Sequence, residues 1–375
     1  MKKMKKLMLS MLAIATIAFS GCSSSDEEPS TSFILDANAF QGKILNGTIT
    51  LDATITYNLT GGLVIENGAN LVIPAGTVIK ASAGTSAYIA VAQGGKIFVN
   101  GTATNPVVMT SSKDSPAPGD WGGLVICGKA STNKGGSNGE TATAEVSDLT
   151  YGGTLNNDSS GSISYLRVEY TGATFNGDKE FNGVSLFGVG SGTTFEYVQS
   201  FEGGDDGIEF FGGSVNGRYL VATNSGDDSI DFADGWSGTG EYWFISGGAK
   251  AGIEGSNNGN SGTAMPMTNA TLKNITILGP GSEGALYIKE GGGSWTASNI
   301  YAANFDLGIK LKSDDTAAVA NVTNGNITIN PIQFDNVTTL DEYTGTTTYF
   351  TTGNNSGAGN GKNKPTWAAG WTVGL

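Results

Sequence analysis

The segments GDDGIEFFGG at residues 204–213 and GDDSIDFADG at residues 226–235 share one pattern, and this pattern decides the fold. In each segment a glycine and two aspartates come before an isoleucine, an acid and a phenylalanine. The second segment begins about 22 residues after the first, and a repeat of that length is typical of a solenoid. Each repeat therefore predicts one coil, with Ile208 and Ile230 facing the interior.

Two columns of apolar residues extend this interval over six coils, as a stack of coils with a shared interior requires. The first column is Leu186, Ile208, Ile230, Ile253, Leu286 and Ile309. The second column is Leu166, Val198, Leu220, Phe244, Ile277 and Ile300. Short β-prone runs alternate with many of the 58 glycines, which indicates strands and turns. The sequence predicts an all-β protein, a single-stranded right-handed parallel β-helix with coils of about 22–24 residues, which resembles the pectin-lyase-like solenoid.

The N-terminal 21 residues resemble the signal peptide of a bacterial lipoprotein. Four lysines precede an apolar run at residues 7–19, and the run ends in Phe19-Ser20-Gly21-Cys22, which is similar to a lipobox. The resemblance implies a lipid on Cys22 and attachment to the outer membrane. The acidic segment 22–32 is similar to the surface-export signal of Bacteroidetes lipoproteins, so we expect a disordered tether and a domain that faces outside the cell.

The remaining residues, 33–375, are expected to form one β-helix domain. A solenoid leaves its first and last coils uncovered, so both ends need caps. We expect the N-terminal cap at about 33–60 and the C-terminal cap at about 316–375.

Composition restricts the possible functions. The chain has a net charge of −14, and loss of four lysines with the signal peptide leaves 16 basic against 34 acidic residues. Such a charge repels nucleic acid, which we do not expect as a partner. The chain has no histidine, which excludes Ser-His-Asp and Cys-His catalysis and histidine-ligated zinc. Cys127 lies in an apolar run and is expected to be a buried thiol.

The coil period places the acids of the two segments side by side. Carboxylates about 4.8 Å apart repel by roughly 3 kcal/mol at an effective dielectric constant of 20. A cation, a lysine, a shared proton or full hydration must offset this repulsion. Ca²⁺ prefers such oxygen ligands and is the cofactor that we expect. The candidate metal ligands are Asp205, Asp206, Glu209, Asp227, Asp228 and Asp231. Alternatively, the Gly-Asp-Asp segments are turns whose aspartates bind backbone amides.

Aromatic residues form a further column, because one precedes a second-column position in each of four coils. Their side chains are expected to point outward, where they could stack on sugar rings. The alternative is that they stack only on one another or are covered by a loop. The candidate ligand-binding residues are Tyr165, Tyr197, Tyr219 and Trp243. In the same coils, Glu196 and Arg218 are predicted to form an ion pair.

The acidic segments are similar to motifs of polygalacturonase-type glycoside hydrolases, which share the β-helix. The resemblance implies catalytic roles for Asp206, Asp227 and Asp228. Ala251 stands where that family has histidine, and Tyr287 stands where it has arginine. A polysaccharide lyase would instead combine Ca²⁺ with a lysine base, and the candidate bases are Lys289, Lys310 and Lys312.

The chain also resembles a family of Bacteroidetes surface lipoproteins, in the segments 74–80, 119–126, 188–194 and 204–213. Our leading hypothesis is a non-catalytic surface lipoprotein that binds Ca²⁺ and a glycan or an extracellular protein. The first alternative is a hydrolase or lyase that degrades acidic polysaccharides. The second alternative is an inert scaffold or adhesin.

Overall fold

The computed structural model describes residues 33–135, 139–177 and 179–375 of the 375-residue chain. The expected signal peptide, Cys22 and the tether lie outside the described residues. In the described part, 22 strands belong to one sheet, and the pairings of this sheet are parallel between successive coils. The structure therefore confirms the all-β parallel β-helix that the sequence predicts.

The strands of the described residues are β1 (Phe40–Ile44), β2 (Gly47–Thr50), β3 (Thr56–Ile65), β4 (Ala69–Pro74), β5 (Val78–Ala81), β6 (Ile89–Val91), β7 (Lys96–Asn100), β8 (Val107–Ser111), β9 (Leu124–Cys127), β10 (Ala142–Thr143), β11 (Thr150–Tyr151), β12 (Gly161–Glu169), β13 (Thr174–Asn176), β14 (Lys179–Glu180), β15 (Val184–Phe187), β16 (Thr194–Phe201), β17 (Ile208–Phe211), β18 (Gly217–Ser225), β19 (Ile230–Ala233), β20 (Thr239–Gly248), β21 (Ala251–Ser256), β22 (Asn269–Leu278), β23 (Gly284–Lys289), β24 (Ser294–Lys310), β25 (Ile327–Asp341) and β26 (Phe350–Thr352). The helices are α1 (Thr316–Thr323) and a 3-10 turn at Thr366–Ala368. Among the described residues no helix has the length and apolar character needed to span a membrane.

Each coil contributes to three parallel faces. Face A contains β6, β9, β15, β17, β19, β21 and β23, stacked in that order. Faces B and C are formed by the first and second parts of the long strands β12, β16, β18, β20, β22 and β24. The chain leaves face C through a turn and then enters face A, and this turn carries the Gly-Asp-Asp segments.

The first apolar column has the predicted register along most of face A. Ile208 pairs with Ile230, and the column continues through Ile253 to Leu286. Its first member is wrong, because Val184 and not Leu186 pairs with Ile208. Glu196 pairs with Arg218, so the turn before β16 is two residues longer than the turn before β18, and a fixed interval of 22 residues misses the pairing.

The second column is wrong at Phe244 and Ile277. Trp243 pairs with Leu220 on one side and with Ile275 on the other. Phe244 consequently faces outward. Trp243 and Phe244 both follow the corner between faces B and C, where Tyr242 has a φ of 58°. Ile275 and Ile277 are both fully buried, so the apolar pattern alone does not select the paired residue.

The interior of the coils is apolar, and Ile208, Ile230 and Trp243 are fully buried. A second apolar cluster lies outside face A, where Val125 and Phe187 are covered by Val146 and Tyr151 of the loop after β9. Cys127 belongs to this cluster, and burial raises the pKa of its thiol to about 12. This loop and the hairpin β13–β14 therefore cover the first coils of face A and leave the later coils open.

The segment 354–375, which we call the C-terminal strap, runs back along face C. It begins beside the last coil, where the Asn355 amide donates to Gln333 Oε1 over 2.6 Å. It passes Thr276 and reaches Gln199, whose Oε1 accepts from the Val373 amide over 2.9 Å. The final residues, expected from the sequence to cap the end of the solenoid, thus lie along its side.

Candidate functional site

The two Gly-Asp-Asp segments form stacked turns between faces C and A. A side chain on Gly226 would collide with the carbonyl oxygen of Gly204, so glycine permits this close approach. The Asp228 amide donates to Asp206 Oδ1 over 2.8 Å, and the Ala251 amide donates to Asp228 Oδ1. One oxygen of each of these two aspartates therefore accepts from a backbone amide of the next coil, and not from an amide of its own turn as the turn hypothesis expects.

A second set of acids points outward from face A in the order Glu209, Asp231 and Glu254. The two ends of this column have partners. Asn182 Nδ2 donates to Glu209 over 2.6 Å, and Lys289 Nζ lies 2.8 Å from Glu254. Asp231 lies between them, so its carboxylate faces an acid on both neighbouring coils.

Asp231 is the member of this column without full hydrogen bonding. Its side chain is 7% exposed, and its Oδ1 has no hydrogen-bond partner within the described chain. Oxygen atoms of Asp206, Glu209 and Asp231 lie within 4.8 Å of one another. Buried polar atoms are normally satisfied, and an unpaired buried charge is costly. This group therefore needs a proton or a cation.

Asp206 and Asp231 line a cavity of about 340 Å³, which we call the acidic cavity, and Glu209 lies beside it. Lys250 Nζ approaches the Asp227 carboxylate to 2.7 Å at its rim. Two further groups of acids have oxygens within 4.8 Å, namely Asp205 with Asp206 and Asp227, and Asp228 with Glu254 and Glu283. The lining residues are Asp205, Asp206, Asp227, Asp228, Asp231, Lys250, Glu254, Glu283, Tyr287 and Lys289.

Burial raises the pKa of these carboxyl groups, and neighbouring acids raise it further. The pKa of Asp205 is raised to about 7 by burial and then by Asp227. The pKa of Asp228 is raised to about 8 by burial and then by Glu254. The pKa values of Asp206, Glu209 and Asp231 lie well above the ordinary range for the same reasons. A cation in the cavity would replace the protons that these groups otherwise hold at neutral pH.

Two of the three candidate lysine bases, Lys289 and Lys310, are held in their charged form. Burial opposes the charge of Lys289, but Glu254 outweighs it and the pKa of Lys289 is raised. Burial likewise opposes the charge of Lys310, whose pKa is raised by its hydrogen bond to Glu283. A lyase base must be neutral to accept a proton, so neither ammonium group suits that role.

The aromatic candidates lie at the corner between faces B and C and not beside the acids. Tyr165, Tyr197 and Tyr219 stack with ring centroids 4.3 and 4.5 Å apart. The fourth member is Tyr242, 5.0 Å from Tyr219, and not Trp243. Trp243 points inward and donates from Nε1 to the Gly217 carbonyl. We call Tyr165, Tyr197, Tyr219 and Tyr242 the tyrosine ladder.

The ring faces of the tyrosine ladder are turned toward one another. Trp371 of the C-terminal strap meets Tyr165 edge-on, and Trp367 packs against Tyr219. A sugar stacks on an open ring face, which the inner rings of the ladder do not present. The predicted Glu196–Arg218 ion pair is also replaced, since Arg218 Nε lies 2.9 Å from Glu241.

Sequence reasoning did not assign four residues that line the acidic cavity, namely Lys250, Glu254, Glu283 and Tyr287. For Lys250 a signal exists, because it follows Asp227 by 23 residues and pairs with it. Glu254 pairs with Asp231 in the next coil at the same interval. Glu283 and Tyr287 follow an insertion after β21, so the interval does not reach them.

The family model of the pectate-lyase like beta helix domain matches residues 42–372. The chain therefore belongs to this family. Neither the comparison with curated proteins nor that with solved structures gives a match. Because β-helices of one fold serve different functions, the role of this chain must be argued from its own site.

Proposed function

We propose that this protein binds Ca²⁺ in the acidic cavity and uses the ion to hold an acidic glycan at the cell surface. The observation that carries the proposal is the unpartnered Oδ1 of Asp231, buried among the oxygens of Asp206 and Glu209. Ca²⁺ takes six to eight oxygen ligands, which carboxylates and water supply together. The residues that would hold the ion are therefore Asp206, Glu209 and Asp231, with Asp205, Asp227 and Asp228 beside them.

A glycan with carboxylate groups suits the surroundings of this site. The chain has a net charge of −14 and would repel such a glycan without a bound cation. Lys250 is half exposed at the cavity rim, where it pairs with Asp227 and would also attract an anionic group of the ligand. Membership in the pectate-lyase like family also favours a role connected with carbohydrate.

Several contacts support a binding protein over an enzyme. Asp206 and Asp228, which the resemblance to polygalacturonases makes catalytic, each use one oxygen to accept from a backbone amide. Lys289, the candidate lyase base, forms an ion pair with Glu254. These residues are engaged in the folded chain, so binding without catalysis is the function that we favour.

Calorimetric titration of Ca²⁺ into metal-free protein at pH 7 tests the metal site. We expect a dissociation constant of about 10⁻⁵ to 10⁻³ M, within the range of sensor and extracellular sites. Asp231→Asn should weaken Ca²⁺ binding about tenfold or more, because it removes the unpartnered carboxylate oxygen. Asp114→Asn, at an exposed acid outside the cavity, serves as the matched control. Absence of Ca²⁺ uptake by the wild type would refute the proposal.

Polygalacturonate separates glycan binding from degradation. We expect the protein to be retained on immobilised polygalacturonate with Ca²⁺ and released by a chelator. Formation of new reducing ends or unsaturated uronates, lost in Asp228→Asn, would establish the enzyme alternative instead. Ca²⁺ uptake without retention on any glycan would favour an adhesin or scaffold.

We also propose that Cys22 carries the lipid that attaches the protein to the outer membrane, facing outward. The lipobox-like segment before Cys22 supports this proposal. Metabolic labelling with a fatty acid should mark the wild type and leave Cys22→Ala unlabelled. Protease treatment of intact cells tests the outward orientation, since a surface-exposed domain is degraded and an internal one is protected.

A further inference from the structure

A second concavity, which we call the side groove, lies next to the acidic cavity. It has a volume of about 610 Å³ and is formed by turns of successive coils after face C. Its walls include Ala249, Ser282, Asn304, Asp306 and Asn336, with Phe305 at its floor. Volumes of 300–1,000 Å³ are typical of small-molecule sites.

The side groove and the acidic cavity share two peptide segments. Ala249 lines the groove and Lys250 lines the cavity, and the same division holds for Ser282 and Glu283. The Ser282 amide and hydroxyl both donate to the Ala249 carbonyl, over 3.0 and 2.9 Å, which joins the two segments. A chain-like ligand that leaves the cavity across these segments therefore enters the groove directly.

The chemistry of the side groove differs from that of the acidic cavity. Its lining has no lysine or arginine and one acid, Asp306. Asn336 Nδ2 donates to Asn304 Oδ1 over 3.0 Å, so these amides form a short ladder. Within the described chain Asn304 Nδ2 and Asn336 Oδ1 have no protein partner. One donor group and one acceptor can therefore form hydrogen bonds with a ligand in the side groove. Exposed hydroxyls and the apolar surface of Pro280 complete a lining suited to uncharged sugar rings.

We infer that the ligand is a mixed oligosaccharide, with a uronate at the acidic cavity and uncharged sugars in the side groove. This inference rests on the proposed function, because the bound cation is what holds the uronate. It adds that neutral sugars next to the uronate bind more tightly than further uronates do. A chain made of uronates alone would place further carboxylates beside Asp306 without a cation to offset them.

Calorimetry with three probes in the presence of Ca²⁺ tests the inference. The probes are glucuronate, a xylotetraose, and a xylo-oligosaccharide that carries one glucuronate. We expect the mixed probe to bind at least tenfold more tightly than glucuronate. The double variant Asn304→Ala/Asn336→Ala should lose this gain and bind glucuronate as the wild type does. Asn100→Ala, at an exposed amide on face B, is the control variant.

The possible outcomes separate the groove from the metal site. Equal affinity for glucuronate and the mixed probe would overturn the inference and leave the Ca²⁺ site intact. A gain for the mixed probe that survives the double variant would also overturn it, because the neutral sugars would then lie elsewhere. Absence of Ca²⁺ uptake would refute the proposed function itself, and the inference with it.

Discussion

Individual carboxylates of the site differ in how their charge is compensated. Glu209 accepts from Asn182, and Glu254 is paired with Lys289, but Asp231 between them has an acid on each side. Burial removes the water that would otherwise screen the repulsion. A proton and a cation therefore compete most directly for the carboxylate of Asp231.

The raised pKa values give the metal-free protein a stability that falls as pH rises. Unfolded aspartates release their protons near pH 3.8, whereas Asp205 and Asp228 keep theirs until about 7 and about 8 in the fold. Between these limits the folded chain binds more protons than the unfolded chain, so raising the pH lowers the free energy of unfolding. We expect the Tm in chelator to fall between pH 5 and pH 8, which thermal scans measure.

Added Ca²⁺ should remove most of this pH dependence, because the ion takes over the charge that protons neutralise. In chelator at pH 8, Asp231→Asn should be more stable than the wild type by about 1–2 kcal/mol, since an amide donates to neighbouring carboxylates. At equal Ca²⁺ concentration the same variant should gain less stability from the ion than the wild type does. A wild-type Tm that is constant across this pH range would contradict the burial of ionisable groups described here.

For individual residues, the sequence predicts which acids lie on neighbouring coils but not which groups their carboxylate oxygens bind. The shared interval places the two Gly-Asp-Asp segments on consecutive coils. The hydrogen bond from the Asp228 amide to Asp206 depends on the exact offset of two turns, which no residue pattern encodes. Asn182, the partner of Glu209, stands two residues before Val184 as Asp206 does before Ile208, but the longer turn between β15 and β16 shifts it from the 22-residue interval.

Among the structural elements, the corner between faces B and C explains why one aromatic residue was misassigned. Tyr165, Tyr197, Tyr219 and Tyr242 have φ values of 53°, 53°, 55° and 58°, a left-handed conformation that is unusual for tyrosine. The stacking of these rings on neighbouring coils compensates for that conformation. Sequence alternation assumes extended backbone, so it does not decide which of the adjacent aromatic residues Tyr242 and Trp243 occupies the corner of this coil.

Substitutions at the corner test which aromatic side chain is internal. Trp243→Ala should lower the free energy of unfolding by about 3–5 kcal/mol, because Trp243 is fully buried. Tyr242→Ala removes one ring from the half-exposed ladder and should cost about 1 kcal/mol. Denaturant titration of both variants measures the difference. A larger loss for Tyr242→Ala would contradict the assignment of Trp243 to the interior.

For the whole molecule, the C-terminal strap connects coils that are far apart in the chain. Arg167 donates to the Trp371 carbonyl across 204 residues, and Gln199 binds Val373 across 174 residues. Trp371 is fully buried against the tyrosine ladder and face C. A solenoid without such a connection has contacts between neighbouring coils only, so its coils open independently.

Removal of residues 366–375 should therefore weaken the coils that the strap covers. We expect hydrogen exchange to accelerate in β12, β16 and β18, which lose contacts with the strap, more than in β6 and β9. The point variant Trp371→Ala should lower the free energy of unfolding by about 3–5 kcal/mol. Ile34→Ala, at a side chain 82% exposed, should leave the stability unchanged and serves as the control.

The position of the strap has a consequence for biosynthesis. Ribosomes build the chain from its N-terminus, so the coils around Tyr165 and Tyr197 are complete long before Trp371 exists. Until residues 366–375 leave the ribosome, the tyrosine ladder of these coils is uncovered and accessible to chaperones. A chain that stops before Trp371 would contain every coil but would lack the contacts that the strap makes with the tyrosine ladder.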